Sequence, residues 1–477
     1  MSTLRGRSEF LSPEELAAIH DASMALLANV GVAFHSDQAL GVFQKHGLKL
    51  DGRRVFFKES QVLDAVAAAP PRFVIRARNP DNDVVIGDDG IVFAPGYGAP
   101  FLMESGTGRR LPTLDDYHTL MRLADALPNQ DMSGHMLVLP NDVPDRTAHL
   151  HMNFAAMIHS DKPFIGSSED DGAVNQTMEM AELLFDESPD SLRKRPVTMG
   201  VVNSLSPLSY GEEMIEALLA YGSWRQPIMI AALVMAGATG PITLAGVLAQ
   251  QNAEILAGIT LSQLANPGTP VIYGTTSAIM DMRSGELAIG SPELSMIAAA
   301  SAQVARRYGL PCRCGGALTE ANSPDAQAGL ESMFGLLTAA NSGADIVIHA
   351  AGILSSYLAF SFEKFVIDDE MCGMVRHYCQ GLRVNQETLA SEVIANVGPG
   401  GNFLMEAHTV RRCHDAFWQP LLNNRDGLEA WMLNGQPDTT TQASLRWQAL
   451  LAEHVAPPMD AMIRRQLEAY MMERGCW

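Results

Sequence analysis

The chain has 477 residues, 47% of them apolar and 18% charged, so it can bury a large core and is too apolar for disorder. Its 33 basic and 54 acidic residues leave a formal net charge of −21, which argues against nucleic acid, whose phosphates need a basic face. The N-terminus lacks the apolar core of a secretory signal, and six cysteines in so long a chain are too sparse for a disulfide framework; both point to a reducing cytoplasm.

Ser12-Pro13-Glu14-Glu15 reads as a helix start, with Ser as N-cap, Pro in the first turn and acids behind it, and Gly31 ends the apolar face that follows. Residues 38–46 and 59–69 read as further short helices, and 73–76 with 84–86 as alternating strands of a small sheet. Residues 1–88 are therefore expected to form an N-terminal helical and hairpin extension.

From about residue 89 strands and helices alternate. Strands are expected at 91–94, 133–139, 163–166, 197–203, 227–233, 270–274, 312–316 and 345–349. The helices between and after them fall at 115–127, 145–159, 172–185, 210–221, 241–264, 292–308, 324–342 and 362–382. Such alternation forces parallel strands, because each helix must carry the chain back. Eight units predict an α/β fold of the (β/α)₈ TIM-barrel type over residues 89–384, with an open doubly wound sheet as the alternative. Residues 385–477 read as a helical C-terminal extension. Between Gln226 and Met280 the only charge is Glu254, yet Gly237, Gly240, Pro241 and Pro267 break the run into pieces too short to span lipid.

In a barrel the loops after the strands share one face, where ligands bind. His349 ends the last expected strand, and the loop beyond it carries Tyr357, Phe360 and Phe362. One imidazole among aromatic rings suggests a pocket for a small, partly apolar molecule, although a lone His at a strand end is often structural. Tyr97, Asn203 and Thr276 fall on the same face. The loop Gly237 to Pro241, including Thr239 and Gly240, reads as a glycine-rich turn into a helix N-terminus with Pro241 at its first position; it would offer backbone N–H groups to an anion, or simply pack the rim. Cys312 and Cys314 alternate on one strand, so both sulfurs could face inward and meet His349 at a metal, or serve as small apolar fillers. Glu254, alone on its apolar helix, could be a base with a raised pKa or a cap for a neighbouring loop. No Ser-His-Asp order, carboxylate pair or phosphate loop is present. The residues by themselves indicate a barrel with an aromatic pocket and few ionisable groups. A metal-assisted hydrolase and a non-catalytic binding barrel stay open.

Longer strings narrow this. Gly237-Ala-Thr-Gly-Pro-Ile-Thr-Leu-Ala-Gly246, Gln250-Gln-Asn-Ala-Glu254, Asp281-Met-Arg-Ser-Gly285, Gly290-Ser-Pro-Glu293, Pro324-Asp-Ala-Gln-Ala-Gly329 and Gly398-Pro-Gly-Gly-Asn-Phe-Leu404 resemble the trimethylamine methyltransferase family along nearly the whole chain. The resemblance implies a cytoplasmic barrel enzyme that moves a methyl group from a small amine to the Co(I) of a corrinoid held by a separate protein. The archetypal members carry pyrrolysine after the last strand; here the matching position is Ser356 or a close neighbour. The chain therefore resembles the non-pyrrolysine branch, which acts on quaternary amines such as glycine betaine. Such a substrate already has a neutral leaving group, so no protein-bound metal and no acid–base residue is required. On this reading Tyr97, Phe360 and Phe362 face the cation, His349 reads a carboxylate with Asn203 and Thr276 as weaker donors, and Gly237, Thr239, Gly240 and Asp281 meet the corrinoid. A homo-oligomer is expected.

Overall fold

The computed structural model describes residues 7–104 and 108–477. Seven parallel strands form its central sheet: β1 (Val92–Ala94), β2 (Phe164–Ile165), β3 (Thr198–Asn203), β4 (Ile228–Ala232), β5 (Val271–Thr275), β6 (Cys312–Cys314) and β7 (Ile346–Ile348). Their order across the sheet is β1-β7-β6-β5-β4-β3-β2, so the first strand pairs with the last and the sheet curls. Every residue of these strands except Asn203 is buried, as expected where helices cover one face and side chains fill the other. Helices Asp171–Phe185, Glu212–Ser223, Leu244–Ala265, Pro292–Arg307 and Ala326–Ser342 carry the chain back between strands, and Phe362–Cys379 follows β7.

The strand expected at residues 133–139 is not formed. Gly134 takes a left-handed φ of +84°, and the Leu137 N–H turns back onto the His135 carbonyl, so the extended ladder breaks. Only an isolated bridge, Val138 with Ala99, remains. The segment nevertheless bonds to both edges of the sheet: Asp131 N–H donates to the Phe93 carbonyl, Ser133 N–H to the Pro163 carbonyl, and Ile165 N–H to the Gly134 carbonyl.

Strand alternation sorts the side chains into two layers. Met199, Val201, Met229, Ile272, Ile346 and Ile348 fill the concave face. Below them the hairpin of Phe73–Ile75 and Val84–Ile86 inserts Phe73, Ile75, Val84 and Ile86 into the same cluster and stops the N-terminal end. The opposite, C-terminal end stays open.

The apolar run at 226–280 has a packing explanation. Helix Leu244–Ala265 is buried at every position from Val247 to Gln263, because Pro13–Asn29 and Glu59–Ala68 cover its outer side while β4 and β5 lie beneath it. Each Leu or Ile so enclosed contributes about 1.5–3 kcal/mol, which explains why a helix covered on all sides needs no polar stripe. This helix starts at Leu244, with Thr243 as N-cap, and not at Pro241. Among the described residues no helix is long and apolar enough to cross a membrane. The N-terminal segment also adds a strand: Val32–Phe34 pairs in parallel with Ser209–Tyr210. In the C-terminal segment two short helices, Gln386–Leu389 and Ser391–Val397, are parted by Ala390 at φ +50°.

Candidate active site

At the C-terminal ends of the strands lies a cavity of about 240 Å³, lined by Tyr97, Val201, Asn203, Leu233, Thr276, Arg313, Ile348, His349 and Tyr357. Strands β3 to β7 contribute through their period of two: Val201 and Asn203 from β3, Leu233 beyond β4, Thr276 beyond β5, Arg313 from β6 and Ile348 from β7. Tyr97, Asn203, Thr276 and His349, chosen from sequence, meet here.

Arg313 stands at the centre of Cys312-Arg313-Cys314. Its neighbours' sulfurs point outward, Cys314 Sγ toward the Ala298 carbonyl on the covering helix, so the guanidinium points inward. Of the two readings of Cys312 and Cys314, this alternation fits the apolar fillers and not sulfurs facing inward toward His349, so the metal-assisted reading loses its ligand set. Arg313 is 3% exposed. One terminal nitrogen donates to the Thr275 carbonyl at 3.1 Å, and Nε has no partner. No carboxylate pairs with it among the described residues. Burial lowers its pKa, but a guanidinium stays protonated in a protein. A buried charge without a counter-ion costs several kcal/mol, and an anion in the cavity would offset that cost.

His349 follows β7 in a left-handed conformation, φ +64°. Its Nδ1 accepts the Tyr97 backbone N–H at 3.1 Å. Burial, with Arg313 nearby, pushes the imidazole pKa well below its usual value, so the ring is neutral. With Nδ1 accepting, the proton sits on Nε2, which is therefore a donor. The Tyr357 ring stands 4.9 Å from the His349 ring; its hydroxyl is buried without a partner, and burial pushes its pKa up to about 12. The site thus offers one fixed cation and neutral donors.

Other candidates lie elsewhere. Phe360 is fully buried against Phe365, and Phe362 stacks on Trp447 at 5.0 Å; neither lines the cavity. The loop at Gly237, Thr239 and Gly240 is on the rim, but its N–H groups are spent internally: those of Ala238, Thr239 and Gly240 go to the Met235 carbonyl, and that of Gly237 to the Gly240 carbonyl. No anion cradle exists there, and the helix N-terminus expected at Pro241 lies further on. Asp281 sits in the next rim loop, accepting the Arg283 N–H. Glu254 is a cap: its carboxylate takes the hydroxyls of Ser204 and Ser206, the Leu208 N–H and the Gln250 amide. It thereby holds the loop next to Asn203.

Residues 3–476 match the profile of the trimethylamine methyltransferase family. The chain belongs to this family. It is 44% identical over 475 residues to a glycine betaine methyltransferase of Desulfitobacterium hafniense (strain Y51), covering 100% of this chain and 99% of that protein. It is 32% identical to a trimethylamine methyltransferase of Desulfitobacterium hafniense (strain DSM 10664 / DCB-2), covering 97% and 93%. A trimethylamine methyltransferase of Methanosarcina mazei is 31% identical over 96% and 93%. Among solved structures, the monomethylamine methyltransferase of Methanosarcina barkeri aligns at a TM-score of 0.47 and 15% identity, over 93% of this chain and 98% of that one.

In this family member Ser356 does not enter the cavity; its hydroxyl donates to the Leu287 carbonyl. The side chain that enters is that of Tyr357, the last of three successive left-handed residues, Ser355, Ser356 and Tyr357. Such a run costs energy at each residue and persists only where surroundings dictate it. Arg313 was the residue that sequence reasoning passed over. The available signal was a charge at the middle of an apolar strand buried on both faces, which demands a role.

Proposed function

We propose that this protein transfers a methyl group from glycine betaine, or a close betaine, to the Co(I) of a corrinoid carried by a separate protein. The observation that supports it best is Arg313: a buried, unpaired guanidinium in a small cavity matches a substrate carboxylate, which trimethylamine lacks. His349 Nε2–H and the Tyr357 hydroxyl supply further donors to that carboxylate, and the Tyr97 and Tyr357 faces suit the quaternary ammonium. The relative at 44% identity supports the same substrate class. When the acceptor docks, its Co(I) supplies the attacking electron pair, and the protein's part is orientation and exclusion of water. Cys312 and Cys314 have no part in the reaction.

On this reading the acceptor caps the open end. The rim loops after β3, β4, β5 and β7 each present an exposed large apolar side chain, Leu205, Ile242, Met282 and Leu358, beside Gly237, Thr239, Gly240 and Asp281. We also read the fold as a closed (β/α)₈ barrel in which residues 131–134 take the place of the missing strand, supported by their hydrogen bonds to both sheet edges. The deciding experiment mixes enzyme, Co(I) corrinoid and glycine betaine, and follows dimethylglycine by mass spectrometry and cobalt methylation by absorbance. Methyl transfer from trimethylamine and from no betaine would overturn the proposal.

A further inference from the structure

A betaine has a second charge, its ammonium, and the cavity lining contains no carboxylate to meet it. One acid, its side chain 42% exposed, stands behind Tyr97 on the far side of His135. Glu169 lies on the rim beyond β2, and its Oε1 is 3.6 Å from Nε2 of His135. His135 is 1% exposed, and that nitrogen has no closer partner. The His135 ring stands 6.3 Å from the ring of Tyr97, which lines the cavity. Two bonds fix this wall: the Tyr117 hydroxyl donates to the His135 carbonyl, and Val201 N–H, on a cavity-lining residue, donates to the Ser168 hydroxyl.

We propose that Glu169, set behind Tyr97 by His135, is the counter-charge for the substrate's quaternary ammonium. This rests on the betaine reading above and adds a direction to it. With Arg313 inside and Glu169 at the mouth, a zwitterion binds carboxylate inward and methyls outward, toward the docking acceptor. The reversed pose puts like charges together at both ends. Although burial opposes its charge, the neighbouring His135 draws the Glu169 carboxyl down to about 2, so Glu169 is ionised at working pH. In transfer the N–CH₃ bond breaks with its electron pair left on nitrogen, while the electron pair of the acceptor's Co(I) bonds the methyl. The product amine is neutral, so its attraction to Glu169 falls at that step.

The test uses two ligands of one shape: glycine betaine and 3,3-dimethylbutyrate, in which carbon replaces the charged nitrogen. Calorimetric titration of the full-length enzyme is expected to show Glu169→Gln weakening glycine betaine by roughly 5- to 20-fold, as for a partly solvated charge pair. The isostere should stay within about twofold, and Glu169→Asp should keep most of the betaine affinity. Equal loss for both ligands, or no loss for either, overturns the counter-charge role. Arg313→Met separates the two readings, because it should weaken both carboxylates whatever Glu169 does. If the unaltered enzyme binds neither ligand, both readings fall.

Discussion

At the scale of single residues, Arg313 carries opposite consequences for binding and for stability. Its charge is buried, with one backbone carbonyl as its only hydrogen-bond partner among the described residues, so an isosteric apolar side chain relieves the ligand-free protein while removing the proposed anion contact. Arg313→Met is expected to raise the glycine betaine dissociation constant by about 10- to 150-fold. The melting temperature without ligand should stay level or rise, because apolar replacement of an unpaired buried charge is often neutral or stabilising by about 1–4 kcal/mol. A melting temperature that falls steeply would mean that Arg313 is a structural residue. His349→Ala should weaken betaine within a similar range, about 10- to 150-fold, and choline, which has no carboxylate, much less. Because the native imidazole titrates well below its usual pKa, betaine affinity should be flat from about pH 8 to pH 6. The linkage has a fixed sign: a depressed native pKa gives stability that is present above the unfolded value and lost as pH falls below it. Relative to His349→Gln, the unaltered protein should therefore lose stability below about pH 6.5, read as a denaturation midpoint at each pH.

At the scale of elements, the site depends on loops pinned from outside it. The Glu254 carboxylate collects four donors, three of them from Ser204, Ser206 and Leu208, and so fixes the turn that follows Asn203. Glu254→Ala leaves buried donors unmet and should cost on the order of 3 kcal/mol in unfolding free energy. It should also raise KM for betaine more than it lowers kcat, since Asn203 loses its support while the transfer step is untouched. Glu254→Gln, which keeps an acceptor oxygen, should fall between. Expectation and structure agree on this residue for a definite reason: an acid alone on a helix buried all round must answer donors brought by a neighbouring segment. They disagree on the helix N-terminus at Pro241, because the Gly237 to Gly240 turn bonds to itself around the Met235 carbonyl and leaves nothing for an anion.

At the scale of the whole molecule, the N-terminal hairpin stops one end of the curled sheet and the other end stays open, so on the proposed reading substrate and acceptor share a single approach. Ile242 and Met282 lie on adjacent rim loops, with Met282 sulfur packed near Gly237. Ile242→Asp and Met282→Asp are each expected to raise KM for the corrinoid protein by about 10-fold, in line with an interface residue worth more than 1 kcal/mol. The dissociation constant for glycine betaine should not change. Unaltered acceptor KM in both variants, or cross-links from the acceptor on the opposite end, would place docking elsewhere.

Sequence alone determined the alternation of strands and helices, the parallel sheet, and membership of the family, because periodicity and residue strings are local and survive any packing. It also located Tyr97, Asn203, Thr276 and His349, each at or just beyond a strand end. Tertiary structure decided which side of β6 faces the cavity, and with it whether Arg313 or the two cysteines line it. Strand alternation defines two faces, but only the covering helix Pro292–Arg307, which receives Cys314 at Ala298, says which face is inner. The same holds for the apolar run at 226–280, whose all-round burial comes from N-terminal helices distant in sequence, and for Phe360 and Phe362, which pack against Phe365 and against Trp447 of the C-terminal helix Thr439–Glu453. Side-chain type is written along the chain; the partner that each face meets is set by elements far from it, and the chemistry of the site follows from that meeting.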